Sequence, residues 1–144
     1  MKQLELAVHE LAPRMQHWRR DFHHFAESGW LEFRTATHVA EVLHQLGYQL
    51  ALGRDVVDDE ARMGLPSAEV LAREEQRAQA QGALPQWLEH FSGGFTGIVA
   101  TLDTGRPGPT IAFRVDMDAL DLGEMQQPSH RPFAEGFASC NDGM

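Results

Sequence analysis

Residues 110–120, TIAFRVDMDAL, decide how the rest of the chain is read. At a period of two, Ile111, Phe113, Val115 and Met117 share one face, and Thr110, Ala112, Arg114, Asp116 and Asp118 share the other. The alternation predicts a β-strand over 110–117 that delivers an arginine and two carboxylates at its C-terminal end. On a persistent strand Asp116 and Asp118 stand about 7 Å apart on one face. Ligand sites of open α/β sheets gather at the carboxyl ends of strands. Two readings of these charges stay open. One is a functional site. The other is an ion pair of Arg114 with an aspartate, with Asp118 capping the next turn, because structural ion-pair networks mimic sites.

Just upstream, residues 95–103, FTGIVATLD, are β-branched and apolar on both faces, which predicts a buried strand. The intervening TGRPGP is a turn by composition, so the two strands are expected to form an antiparallel hairpin. Toward the N-terminus, Leu4, Val8, Leu11, Met15, Trp18, Phe22 and Phe25 recur at steps of four and three, the stripe of an amphipathic helix over 4–27. Pro13 is expected to kink or restart it, and Ser28-Gly29 to stop it. His23 and His24 are a poor pair of metal ligands, since adjacent helical side chains point about 100° apart. His38 and His44 likewise fall on different faces of the next helix. That helix is predicted over 35–46 from Ala36, Val39, Leu43 and Leu46, with Gly47 just past its end. Tyr48, Leu50 and Leu52 then alternate like a strand.

Residues 54–91 shift toward acid, glutamine and alanine, with Pro66-Ser67 as a helix start and Gly82 as a stop. They predict a helical insertion between two strands, outside the central sheet. Residues 121–144 show no sustained period and read as loop.

Composition narrows the function classes. The 144 residues, 42% of them hydrophobic, suffice for the core of one ordinary domain. A net charge of −9 disfavours nucleic acid and anionic membranes, which select basic patches. Eight histidines bring metal or proton chemistry into question. The single cysteine, Cys140, precludes an internal disulfide and fits a reducing compartment. The N-terminal residues lack a signal-peptide apolar core, and no apolar run approaches the roughly 18 residues of a membrane helix. A soluble, cytoplasmic protein is expected.

Taken in order, WRRDFHHFAESGWLEFRTATHVAEVLHQLGY and then GGFTGIVATLDTGRPGPTIAFRVDMDAL resemble the N-terminal region of metallopeptidase family 20. These are metal-dependent amidohydrolases of the aminoacylase, hippurate hydrolase and carboxypeptidase type. The insertion 54–91 and the tail SHRPFAEGFASCNDGM are similar to the branch that cleaves the amide of p-aminobenzoyl-glutamate, a folate catabolite, rather than to shorter members. The resemblance implies an α/β fold: the N-terminal part of one three-layer α/β/α, zinc-peptidase-like catalytic domain. Within 1–144 its sheet is expected to be incomplete and its dimerisation domain absent.

The same resemblance implies a divalent metal (Mn or Zn) and, as small-molecule substrate, an N-acyl amino acid or aminobenzoyl-glutamate. It also implies that the partner is a paralogous second subunit. The family's metal motif, His-Ala-Cys-Gly-His-Asp, follows the methionine corresponding to Met144. No metal ligand or catalytic residue is therefore expected within this chain, which alone should be catalytically incomplete. Arg114 stands where more distant relatives carry a metal-binding histidine and is not expected to be a ligand. Asp116 corresponds to the aspartate that orients that histidine. It is expected, with Asp118 and Arg114, to support the site from behind the ligands. Cys140 is not the family's metal cysteine. Two other classes compete with this reading: a non-catalytic module pairing with another fragment or subunit, and an independent enzyme using Asp116, Asp118 and a histidine such as His130.

Overall fold

The computed structural model describes residues 2–141. In chain order the elements are α1 (Lys2–His24), α2 (Phe33–Gln45), β1 (Gln49–Leu52), α3 (Ala68–Ala80), α4 (Pro85–Leu88), β2 (Ile98–Thr101) and α5 (Arg131–Ala134). Single 3₁₀ turns occupy Gly53–Asp55, Asp59–Ala61 and Glu89–Phe91. The chain divides into two compact units, one of Glu27–Leu120 and one of Met1–Ala26 with Asp121–Met144. Among the described residues no helix is long and apolar enough to cross a membrane.

The core lies in the larger unit. Phe33, Ala36 and Ala40 of α2 are buried, as are Leu71 and Ala78 of α3, Leu88 of α4, and Phe91 and Phe95, and α2 packs against both α3 and α4. Helix α2 begins two residues earlier than its periodicity predicts, because a carboxylate from upstream caps it. Glu27, 1% exposed, accepts the Arg34 N–H at 3.1 Å and the Thr35 N–H at 2.7 Å. These are two of the amide groups that a helix start leaves without partners. At the other end Gly47, at φ +83°, reverses the chain as expected, and the Tyr48 N–H bonds back to the Leu43 carbonyl at 3.1 Å. Ser67 caps α3 through the Val70 N–H, and Gly82 closes it at φ +92°. Within 54–91 the α-helices are α3 and the single turn α4, and the rest is 3₁₀ turns and irregular stretches.

The sheet departs from expectation. β2 pairs antiparallel with β1, in register Gln49↔Thr101 to Leu52↔Ile98, rather than with residues 110–117. The ladder is continued by the Gly53 N–H to the Gly97 carbonyl at 3.0 Å. Residues 110–117 form no strand, so the hairpin is not made. Ile111, Phe113 and Val115 remain 72%, 88% and 79% exposed. Alternation marks the face of a strand that can be buried; it does not supply the neighbour whose N–H and C=O groups the ladder needs. Pro107 and Pro109 further remove two donors from the approach. The segment is instead tethered at its end, where the Ala119 N–H donates to the Glu27 carbonyl at 2.7 Å beside an isolated parallel bridge, Ser28↔Ala119. The strand expected over 95–103 is shorter, Ile98–Thr101, and Val99 is exposed rather than buried.

In the smaller unit α1 runs unbroken through Pro13. A single proline removes one N–H bond of the helix, and here that loss does not restart it. The helix ends at His24, short of the predicted Ser28-Gly29, and the tail bonds to its last carbonyl and to the chain just beyond it. The Cys140 N–H donates to the His24 carbonyl at 2.8 Å and the Asn141 amide to the Ala26 carbonyl at 2.6 Å. The stretch 121–141 contains the short helix α5 rather than loop alone. It is anchored by Glu124, whose Oε1 meets the Nε2 atoms of His23 and His130, each at 2.7 Å, and whose Oε2 accepts the Ser139 N–H.

Burial pushes the Glu124 carboxyl up, but the hydrogen bonds from Ser139, His130 and His23 outweigh it and hold the group at about 2. A depressed carboxylate contributes stability above its unfolded pKa of 4.5 and loses it as pH falls toward about 2. Glu124→Gln should therefore remove part of the acid-side loss of stability between those limits, read by denaturant unfolding at stepped pH. In the larger unit, Phe91→Ala should cost about 3–5 kcal/mol by emptying a fully buried ring site. Gly53→Ala should also destabilise, since its φ is +57° and a Cβ there would sit 2.0 Å from the His90 carbonyl oxygen. Urea unfolding measures both.

Candidate functional site

The larger unit contains a cleft of about 540 Å³ built where three stretches meet: 29–32, 56–62 with 96–97, and 114–118. Its first wall is a tight turn in which the Leu31 N–H reaches the Ser28 carbonyl at 2.9 Å. That turn puts Trp30 at φ +68°, a left-handed conformation costly for a bulky L-residue. The Trp30 indole N–H is held by the Met63 carbonyl at 2.9 Å. Strain of this kind persists only where surrounding contacts impose it, and it clusters at ligand sites.

Glu32 follows on the same turn and is buried. Burial raises its carboxyl above the ordinary range; the Thr96 hydroxyl, donating at 2.6 Å, opposes this, while the charges of Asp118 and Glu27 add to the rise. Arg62 lines the same cleft with a side chain only 6% exposed. Its Nη1 donates to the Gly93 carbonyl at 2.8 Å and its Nη2 to Asp59. The guanidinium lies 3.7 Å from the Phe95 ring centre and 5.9 Å from that of Trp30. Its Nε is buried with no acceptor. Gly97 forms part of the floor, where a Cβ would come within 2.5 Å of Val57 Cγ2.

Arg114, Asp116 and Asp118 all line this cleft, so the structure brings the three sequence-selected residues together. Arg114 and Asp116 form the ion pair that the plain reading of the strand anticipates, at 2.7 Å, but with side chains 87% and 58% exposed. Such an open pair contributes little to stability. His130 is not among the lining residues; it bonds to Glu124. The donor set does not fit a divalent ion. Arg114 engages Asp116 Oδ1, and among the described residues no group of three or more His, Cys, Asp or Glu side chains is placed to hold one. Sequence reasoning missed Glu32, Thr96 and Arg62. For Glu32 a signal existed, a carboxylate set between Leu31 and Phe33 in an apolar run. For Arg62 the sequence carries none.

Two curated relatives of this chain are hydrolases by name. A p-aminobenzoyl-glutamate hydrolase subunit from Escherichia coli (strain K12) is 69% identical over 144 residues, all of this chain and 33% of that protein. The indole-3-acetyl-aspartic acid hydrolase of Enterobacter agglomerans is 68% identical over 137 residues, 95% of this chain and 31% of that protein. The crystal structure of an aminobenzoyl-glutamate utilization protein from Klebsiella pneumoniae matches with a TM-score of 0.81 at 68% identity, covering 83% of this chain and 30% of that one. No family model matches the chain. The chain is a homologue of these hydrolases and spans about a third of the length of the curated relatives it matches.

The raised Glu32 carboxyl has a consequence for stability. A group with a raised folded pKa contributes stability that is present below its unfolded pKa of 4.5 and lost as pH rises through the folded value. Glu32→Gln keeps an acceptor for the Thr96 hydroxyl and removes this loss. Relative to the parent, the variant should gain stability between pH 4 and pH 7, as read by urea unfolding at both.

Proposed function

We propose that this chain is the N-terminal part of a metal-dependent amidohydrolase that cleaves the amide of p-aminobenzoyl-glutamate. The observation that carries the reading is the 69% identity, along all 144 residues, to the Escherichia coli p-aminobenzoyl-glutamate hydrolase. In this reading the chain contributes the first part of a three-layer catalytic domain in a cytoplasmic enzyme, whose partner is a second, paralogous subunit. Hydrolysis of an unactivated amide needs a polarised carbonyl and a hydroxide at neutral pH, and a divalent ion such as Mn²⁺ or Zn²⁺ supplies both. In this reading the ligands of that ion and the general base come from polypeptide other than the described residues, among which no group of three or more His, Cys, Asp or Glu side chains is placed to hold a metal. No catalytic role falls to the chain's own side chains. Arg114, Asp116 and Asp118 line a cleft and support whatever binds beside them.

Purified alone, the chain should leave p-aminobenzoyl-glutamate intact even with added Mn²⁺ or Zn²⁺, and Asp116→Asn should change nothing in that assay. In a full-length relative the same substitution at the corresponding aspartate should lower turnover roughly 10–100-fold, the usual effect of loosening a group behind the ligands. Metal-dependent turnover by the isolated chain, lost with Asp116→Asn, would overturn the proposal and favour an independent enzyme.

A further inference from the structure

Residues 112–118 have the alternation of a strand but no strand beside them. The chain runs through them without helix, turn or bend, and among the described residues none of their backbone groups bonds to another backbone group. The span is bounded by Pro109, which has no N–H, and by Ala119, whose N–H is already taken by the Glu27 carbonyl. Phe113 and Val115 leave their side chains in solvent, with Ile111 beside them. An unpaired edge of this kind is a template for another chain, and apolar groups exposed together mark an interaction surface. We propose that residues 112–118 pair antiparallel with the same residues of a second copy of this chain, with Val115 facing its own counterpart across the two-fold axis. This goes beyond the hydrolase reading and does not depend on it.

Charge complementarity selects a second copy as the occupant. With Val115 on the axis, Arg114 of each copy stands opposite Asp116 of the other, and Phe113 stands opposite Met117. Two cross-strand ion pairs and two aromatic–thioether contacts therefore form together. In the single chain Arg114 bonds Asp116 of its own copy at 2.7 Å, with both side chains open to solvent, so neither charge has to leave a buried site. Directly opposed residues have Cβ atoms about 5 Å apart, whereas residues two apart along one strand are separated by about 7 Å, so the cross-strand partner is the nearer one. The register is also self-selecting. A shift of two residues sets Arg114 against Arg114 in one direction and Asp116 against Asp116 in the other, and like charges directly opposite are destabilising. A slip of one residue would turn the apolar face of one copy to the charged face of its partner. The contact is isologous, so it closes at a dimer.

The test is sedimentation velocity of this chain across a concentration series. A two-stranded ribbon is marginal on its own, so the parent should pass from monomer to dimer as concentration rises. Asp116→Arg and Arg114→Asp should each weaken dimerisation roughly tenfold or more, because both cross-strand pairs turn repulsive. Mixed in equal amounts, the two variants should associate with each other as the parent does with itself, since arginines on one strand then face aspartates on the other. The double variant Arg114→Asp/Asp116→Arg, which exchanges the charges, should restore the homodimer. Both positions are exposed, so circular dichroism should show every variant folded like the parent. A parent that stays monomeric at all concentrations would overturn the proposal. So would a dimer indifferent to the single substitutions, which would place the contact on another face, or single variants that stay apart when mixed, or a double variant that stays monomeric.

Discussion

The buried carboxylate of Glu27 is the constraint on which the larger unit depends. One side chain caps α2 through two backbone N–H groups and also takes the Arg77 guanidinium of α3 at 3.1 Å. Its own carbonyl receives the Ala119 N–H. Three stretches far apart in sequence are thereby fixed to one residue. A carboxylate this buried is tolerable because each oxygen accepts hydrogen bonds and a cation stands beside it. Arg77 is in turn shared with Glu74, a neighbour one helical turn away on α3. Losing any member would leave a charge buried without its partner, which costs more than the bond itself contributes.

What could be read in the sequence follows from how local the determining interactions are. Helices α2 and α3 and their stops were legible because a stripe of apolar residues, a Ser cap and a positive-φ glycine act within a few residues. The early start of α2 was not, since its cap comes from Glu27 outside the helix. The strand over 110–117 failed for the same reason in stronger form. Its alternation is real, yet a ladder is a property of two segments. The candidate site divides similarly. Arg114, Asp116 and Asp118 stood out by spacing, and they do converge on one cleft, whereas Glu32 and Arg62 acquire their character only from burial.

The cleft concentrates local costs that the core does not show. A tryptophan in a left-handed turn, a carboxyl pushed up by burial and an arginine donor without an acceptor sit within one cavity of the unit. Folded proteins keep such features where the surrounding structure over-determines them, and here the determinants are visible. The Met63 carbonyl pins the indole, the Thr96 hydroxyl pins Glu32, and the Phe95 ring pins the Arg62 guanidinium.

That last contact makes Arg62 a hinge pin made of a plane rather than of a charge. Its flat guanidinium lies against the Phe95 ring while its edge reaches the Gly93 carbonyl on one side and Asp59 on the other, joining two loops that share no ladder. A lysine would carry the same charge but offers a point with no face to stack and no fork to span both acceptors. The two loops are therefore registered by shape, and a chain that kept the positive charge here while losing the plane would keep its electrostatics and lose its alignment.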